Sequence, residues 1–212
     1  GYMYGTSGSL ASNRTNENDS TIKAYIDNWY STNLSSYSKY ISTEAVYCND
    51  RELSPGSTYS MSSSFGYAAN TRLYTNNAPS YNCTNSKDAF SGSNREAKLT
   101  YAIGLMTADE IAYAGGKSET SLASPYAWYY LNSAGSSITG KTMWWLLSPS
   151  FLNGGILRGW RVNGSADAGN LTNNGIILAS CAVRPAISIK SCALWLSGNG
   201  SSSSPYEING GC

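Results

Sequence analysis

The sequence predicts a single α+β domain with two helices and a small twisted antiparallel sheet joined by long loops. Two segments carry the apolar periodicity and the capping residues of helices, whereas apolar runs typical of strands begin only at Met143. No internal repeat or shift in composition divides the 212 residues. We therefore expect one domain over 1–212, in which 1–18 form an N-terminal arm and 143–190 contain the core strands.

The first helix is expected to run from Ser20 to about Asn33. Asp19 and Ser20 precede the helical pattern, and either side chain can cap the free backbone N–H groups of the first turn. Four large side chains recur at helical spacing and would share the buried face: Ile22, Ile26, Trp29 and Tyr30.

The segment 42–98 is dense in turn residues, including Pro55-Gly56 and Asn76-Asn77. Long regular elements are therefore not expected in it. Short strands are predicted around Ala45–Tyr47 and Tyr67–Leu73.

The second helix begins with a capping box. Thr107 is placed to cap the helix, and Glu110, three residues later, is placed to return a hydrogen bond to the Thr107 backbone. Asp109 also suits the positive end of the helix dipole, and Gly115-Gly116 supplies the stop. Capping explains both carboxylates, so we do not interpret them as a catalytic pair.

The C-terminal third predicts strands and hairpins. The apolar run 143–147 stops at Ser148-Pro149, and Val183–Ile189 and Leu194–Leu196 are predicted to be buried strands. Asparagine–glycine steps between these runs suit tight turns. They occur at Asn153-Gly154-Gly155, Asn163-Gly164 and Asn173-Asn174-Gly175.

Five cysteines indicate the compartment. We predict disulfides Cys48–Cys83, between two turn-rich segments, and Cys192–Cys212, across a Gly/Ser-rich tail, with Cys181 outside both. Disulfides would place the chain outside the cytosol. The alternative is five reduced thiols in a cytosolic protein.

Composition excludes several function classes. Net charge is +1, which gives no basic surplus for nucleic acid, and no apolar run is long enough to span a membrane. The absence of histidine removes histidine-based triads and histidine metal ligands. We expect no metal, no cofactor, no membrane contact by this part of the chain and no catalysis. The 17 Tyr and 6 Trp, by contrast, need burial or a partner.

Several motifs, in order along the chain, resemble a bacterial surface-protein family with a C-type lectin fold. They are 19–23 with Trp29-Tyr30, 48–51, 104–116, 144–149, 183–190 and 204–206. The resemblance implies a lectin-like domain at the cell surface or outside it. Family members often follow a pilin-like N-terminal helix, which implies possible pilus or surface assembly through such a segment. Some proteins of this fold are variable proteins of diversity-generating retroelements, and 150–181 lies where their diversified, ligand-binding segment is expected.

The residues themselves support a binding face within 150–181. Trp144, Trp145, Leu147, Val183, Ile187 and Ile189 would form a core on either side of this segment. Within it, Trp160, Val162 and Leu171 are predicted to point inward, and Phe151, Leu152, Ile156, Arg158 and Arg161 outward. The predicted contacts to a protein or glycan ligand are Ser150, Phe151, Leu152, Asn153, Ile156, Leu157, Arg158, Arg161, Asn163 and Asn173. Arg184 is expected to form an internal ion pair, with Asp109 or Glu110 as a candidate partner.

Two alternatives remain open. The chain could be a structural subunit, such as a minor pilin, whose loops pack against neighbouring subunits. It could also be an enzyme of the formylglycine-generating type, which shares the fold but uses a cysteine pair, and Cys181 has no such neighbour in the sequence. Calcium-dependent sugar binding is not implied, because the Glu-Pro-Asn, Gln-Pro-Asp and Trp-Asn-Asp motifs of those lectins are missing.

Overall fold

The computed structural model describes residues 3–4, 15–60, 62–120, 143–163, 170–177, 179–200, 203–208 and 210–212. The α-helices are α1 (Thr21–Asn33), α2 (Ala68–Asn70) and α3 (Ala108–Tyr113), with a 3₁₀ turn at Ser35–Tyr40 and a π-helical turn at Thr71–Thr75. The strands before α3 are β1 (Met3–Tyr4), β2 (Asn18–Asp19), β3 (Tyr47–Cys48), β4 (Phe65–Gly66), β5 (Ala89–Phe90) and β6 (Gly104–Leu105). Those after it are β7 (Lys117–Ser118), β8 (Trp144–Asn153), β9 (Ile156–Val162), β10 (Asn170–Ile176), β11 (Pro185–Ala186), β12 (Trp195–Ser197) and β13 (Glu207–Ile208).

Few helices and one curled central sheet make this an α+β chain, as predicted. The five-stranded sheet has the order β4-β8-β9-β10-β7, and its first three pairs are antiparallel. The pair β7–β10 is parallel, which corrects the expectation of a purely antiparallel sheet. Since β7 and β10 are not joined by a hairpin, no tight turn imposes an antiparallel direction on them.

Bulges on both sides of Trp160 curl the sheet. Opposite the single residue Trp160 on β9, strand β8 has three residues, 146–148, and strand β10 has two, Asn173 and Asn174. Extra residues of this kind bend a strand and increase its twist. The predicted turn at Asn173-Asn174-Gly175 is therefore wrong, because these residues form a bulge inside β10.

The turn between β8 and β9 is confirmed. Gly154 and Gly155 have φ of +58° and +76°, in the left-handed region that a two-residue hairpin turn needs at both central positions. The third predicted turn, Asn163-Gly164, runs into 164–169, which lie outside the described residues.

The sheet separates two apolar clusters. Trp145 and Leu147 pack with α1 and with Phe90 and Ile103 on one face. On the opposite face, α2, the π-helical turn and α3 pack against the predicted inward-pointing residues of the sheet. Trp160, Val162 and Leu171 are fully buried there, as expected. Adjacent residues of a strand point to opposite faces, so Trp144 and Trp145 contribute to different clusters.

Both predicted helix starts are confirmed. The Ser20 side chain accepts a hydrogen bond from the Lys23 backbone N–H at 3.2 Å and caps α1. In α3, Thr107 Oγ1 accepts from the Glu110 N–H at 3.1 Å, and the Glu110 carboxylate accepts from the Thr107 N–H at 2.6 Å. These bonds hold α3 at its predicted position over the second cluster.

Three strand predictions are corrected. The segment Tyr67–Leu73 is helical, because Ala69 and Leu73 lie four residues apart and pack together into the second cluster. Of Val183–Ile189, only β11 is a strand, paired with β6, while Ile189 forms an isolated bridge with Ile41. Pro185 has no N–H to extend the ladder of β11. Ile189 is 45% exposed rather than buried, and β12, predicted as a buried strand, is exposed along its whole length.

Candidate functional site

An open cleft of about 690 Å³ lies between the helical segment 68–75 and the outer half of the sheet. Its lining combines framework residues with residues of 150–181. The framework contributes Asn70, Tyr74 and Glu119, and the segment contributes Phe151, Asn153, Arg158, Asn173 and Asn174. Four of the predicted contact residues therefore share one concave surface.

Asn70 organises the floor of the cleft. Its Oδ1 accepts hydrogen bonds from Ser150 Oγ at 3.2 Å and from Asn173 Nδ2 at 2.8 Å. Ser150 is fully buried and Asn173 is only 8% exposed. These two predicted contact residues thus face inward and anchor β8 and β10 to the helical segment, which leaves the Ser150 hydroxyl sealed from the cleft.

Glu119 holds the β10 bulge from the other side. Its Oε1 accepts from Thr172 Oγ1 at 2.6 Å and from the Asn173 backbone N–H at 2.9 Å. The Glu119 N–H donates to the Leu171 carbonyl at 3.0 Å, and the residue has a φ of +49°, in the left-handed region. Asn70 and Glu119 both lie outside 150–181, and they anchor Asn173 through its side-chain amide and its backbone N–H, respectively.

Arg158 and Phe151 form one wall. They are opposite each other on β9 and β8, with the guanidinium carbon 5.6 Å from the centre of the phenyl ring. Arg158 Nη1 donates to the Asn174 carbonyl at 3.2 Å, across the bulge. Its Nε is buried without a hydrogen-bond partner. A guanidinium has five N–H donors, so this side chain is held in place with donors left for a ligand.

The other predicted contacts separate into a rim and a reverse face. Ile156 is 42% exposed at the hairpin tip, whereas Phe151, Leu152, Leu157 and Arg158 are half-buried. The prediction that Phe151, Leu152, Arg158 and Arg161 point freely outward is therefore corrected, because each packs against a neighbouring strand. Asn153, at the rim, accepts from Ser64 Oγ at 3.1 Å.

Arg161 and Asn163 lie away from the cleft. Arg161 alternates with the buried Trp160 and Val162 along β9, so its side chain is on the Trp145 face of the sheet. Asn163 follows the end of β9, where its N–H donates to the Asn170 carbonyl at 2.8 Å. Arg161 is directed away from the cleft by strand alternation, and Asn163 lies beyond the end of β9, so neither residue joins the predicted contacts that line the cleft.

A buried charge cluster lies behind the cleft. Arg72, on the π-helical turn, donates from Nε to Asp109 Oδ1 at 3.1 Å and from Nη2 to Asp109 Oδ2 at 2.8 Å, and Nη2 also bonds Asp50. Burial raises the pKa of the Asp50 carboxyl above its ordinary value of 3.8, with Arg72 opposing that shift and Asp109 adding to it. The cation paired with Asp109 is therefore Arg72. Arg184, the predicted partner, has its guanidinium 3.9 Å from the centre of a Trp144 ring.

Both predicted disulfides are present. Cys48–Cys83 joins β3 to the turn-rich segment before β5, and Cys192–Cys212 closes the C-terminal hairpin. Cys181 is in neither bridge and is partly buried. Two bridges are typical of proteins folded in an oxidising compartment.

Neither a metal-binding cluster nor a membrane-spanning helix is found in the described part of the chain. No group of three or more His, Cys, Asp or Glu side chains there is arranged to hold a metal ion. None of the described helices combines the length and the apolar character needed to cross a membrane.

Comparison with protein-family models found no match, and comparisons with curated proteins and with solved structures found none either.

Sequence reasoning missed Asn70, Tyr74 and Glu119. Each lies in a segment with no binding signal of its own, and Asn70 reaches Asn173 across 103 positions of sequence. The Asn70 and Glu119 acceptors matter only because bulges in β8 and β10 bring buried donors within their reach.

Proposed function

We propose that this protein is a secreted or surface-displayed ligand-binding protein, adhesin-like and without catalysis. Its fold is proposed to be C-type lectin-like, as the sequence motifs imply, and its ligand a protein or glycan. The two disulfides support an extracellular location, because such bridges persist in oxidising environments.

One observation carries the proposal. Glu119 accepts from the Asn173 backbone N–H and Asn70 accepts from the Asn173 side-chain amide, so residues outside 150–181 anchor this segment, which itself supplies most of the cleft. A scaffold that fixes the backbone lets exposed side chains change without loss of the fold. Such positions include Asn153, Ile156 and Asn174.

The chemistry of the cleft suits recognition of a polar, partly apolar ligand. Amide groups supply donors and acceptors, Tyr74 and Phe151 supply ring surface, and Arg158 supplies a fixed cation. Aromatic and arginine side chains dominate the energetics of many interfaces. The cleft therefore supports binding rather than a reaction, for which no nucleophile with a partnering base is present among its lining residues.

Binding is tested with arrays of glycans and of extracellular proteins, using the wild type, Arg158→Ala, Phe151→Ala and Tyr25→Ala. Tyr25 is exposed on α1, outside the cleft, and is the matched control. We expect a captured glycan or protein whose signal falls roughly tenfold or more in the two cleft variants and is unchanged in the control. A signal that survives both cleft substitutions would contradict the proposed site.

Diversification of 150–181 is a separate part of the proposal. Sequences of sibling genes are expected to differ at exposed positions such as Asn153, Ile156 and Asn174, and to keep the packed positions Gly159 and Trp160. Variation spread evenly along the chain would contradict it. A neighbouring reverse transcriptase gene with a near-copy of this coding segment would support it.

The structural-subunit alternative also predicts a measurable result. If the loops of 150–181 pack against neighbouring subunits, the purified protein assembles with increasing concentration, and Phe151→Ser with Leu152→Ser abolishes the assembly. Assembly that persists in this double variant would argue against that use of the segment.

A further inference from the structure

The C-terminal hairpin carries an exposed apolar surface. Trp195 and Tyr206 are 67% and 65% exposed, the largest values, together with Tyr81, among the aromatic side chains that the structure describes. Leu194, Leu196 and Ile208 on the same hairpin are also exposed. Large exposed apolar side chains concentrated in one element usually mark an interaction site.

The hairpin holds these side chains in a fixed arrangement. Trp195 is opposite Ile208 in the β12–β13 register, and its ring meets the Tyr206 ring edge-on with centroids 6.4 Å apart. Cys192–Cys212 joins the two ends of the hairpin. A preorganised surface loses little conformational entropy on binding, so the disulfide favours association.

Polar groups near the patch are already bonded within the hairpin. The Trp195 indole N–H donates to the Ser197 carbonyl at 2.6 Å, and Ser197 Oγ donates to the Glu207 carboxylate at 2.6 Å. Glu207 is the only charged side chain in 191–212. Residues 191–212 themselves therefore supply neither the cations that an acidic partner or an anionic membrane needs nor an open indole donor.

We propose that this hairpin is a self-association surface that binds the hairpin of a second copy of the chain. An uncharged apolar patch is complementary to another such patch, and the second copy supplies one of the same size and chemistry. With a single carboxylate that is already hydrogen-bonded, two hairpins meet without strong charge repulsion. Two copies related by a two-fold axis would each contribute the same patch to the interface.

The size of the patch agrees with a weak dimer. Together the five large side chains expose on the order of 600 Å² per copy, part of it on the face of the hairpin opposite to Trp195, because adjacent strand residues alternate. Two copies would therefore bury at most about 1,200 Å², which is the lower end of the range for specific interfaces. We therefore expect a dissociation constant in the micromolar range rather than a permanent dimer.

Sedimentation equilibrium of the full chain tests the proposal. The wild type is expected to shift from monomer to dimer as the concentration rises. Trp195→Ser is expected to raise the dissociation constant roughly tenfold or more. Leu196→Lys, which adds a like charge to both sides of the interface, is a second variant. Tyr25→Ser is the control for loss of an exposed aromatic outside the hairpin.

Circular dichroism and mass spectrometry check that each variant is folded with Cys192–Cys212 intact, and Leu196→Lys carries the test if Trp195→Ser is misfolded. Three outcomes would overturn the proposal. The first is a wild type that stays monomeric up to about 1 mM, roughly a thousand times a dissociation constant of 1 μM. The second is a dimer unaffected by both hairpin variants. The third is flotation with neutral phosphatidylcholine vesicles in place of self-association.

Discussion

Gly175 lies directly against the indole of Trp145. A Cβ at position 175 would come within 2.7 Å of Trp145 Cζ3 and 2.8 Å of the Gly159 carbonyl oxygen. Gly159 is paired with Gly175 on the neighbouring strand. A Cβ added at Gly159 would lie 3.7 Å from Trp145 Cζ3, which is an ordinary van der Waals contact. The two paired glycines therefore leave the space in which the Trp145 ring lies.

Replacing Gly175 by Ala is expected to destabilise the fold by about 1–3 kcal/mol, because the new methyl group overlaps a buried ring and a backbone carbonyl. Gly159→Ala is the matched control and should change the free energy of unfolding by less than about 1 kcal/mol. Urea unfolding of the two variants measures both values. Equal losses would show that the close approach at Gly175 has no energetic consequence.

Removing the Asn70 side chain is expected to destabilise the chain by about 1–3 kcal/mol, because the buried Ser150 hydroxyl and Asn173 amide both lose their acceptor. Asn174→Ala, at an exposed site on the adjacent bulge, is the control and should stay within about 0.5 kcal/mol of the wild type. Thermal or urea unfolding checks the prediction. An Asn70→Ala variant as stable as the control would mean that this network does not hold the segment.

The Asp50 carboxyl is expected to contribute to the pH dependence of stability. Its pKa in the folded chain lies above the ordinary value of 3.8, chiefly through burial. The folded state therefore binds this proton more tightly than the unfolded state does. The resulting stabilisation is fully present below 3.8 and is lost as the pH rises through the raised pKa.

This prediction is checked by urea unfolding of the wild type and Asp50→Asn from about pH 4 to about pH 7. The free energy of unfolding of the wild type, minus that of the variant, should fall as the pH rises. Glu44→Gln, which changes an exposed carboxylate, is the control. A difference that is constant with pH, or that grows as the pH rises, would contradict the raised pKa.

Loss of the Cys48–Cys83 bridge, by changing both cysteines to Ser, is expected to lower stability by roughly 3–4 kcal/mol, because the bridge closes a long loop in the unfolded chain. Cys181→Ala removes a thiol that is in neither disulfide and should cost less than about 1 kcal/mol. Unfolding midpoints under non-reducing conditions compare the two. A larger loss of stability in Cys181→Ala than in the double Ser variant would contradict the prediction that the Cys48–Cys83 bridge is the more stabilising of the two.

Local sequence signals determined much of the framework. The Ser20 and Thr107 caps depend on groups within three residues, and the hairpin turn at 154–155 depends on two adjacent glycines. The inward direction of Trp160 and Val162 follows from strand alternation. Both disulfides of the structure are those predicted from the sequence. The prediction was possible because the cysteines lie in turn-rich segments and at the two ends of a Gly/Ser-rich tail, where the chain can bring them together.

Only the tertiary structure decided how the cleft is built. Asn173 follows a turn-type pattern, yet it lies in a bulge because Asn70 and Glu119 satisfy its buried polar groups there. Asp109 pairs with Arg72, 37 positions away, since the π-helical turn brings that guanidinium against α3. Helix caps, hairpin turns and strand alternation depend on residues close together in the chain, so they can be predicted from the sequence alone. Buried polar partners such as Asn70 and Asn173 depend on which distant segments pack together, and that packing must satisfy most buried polar groups.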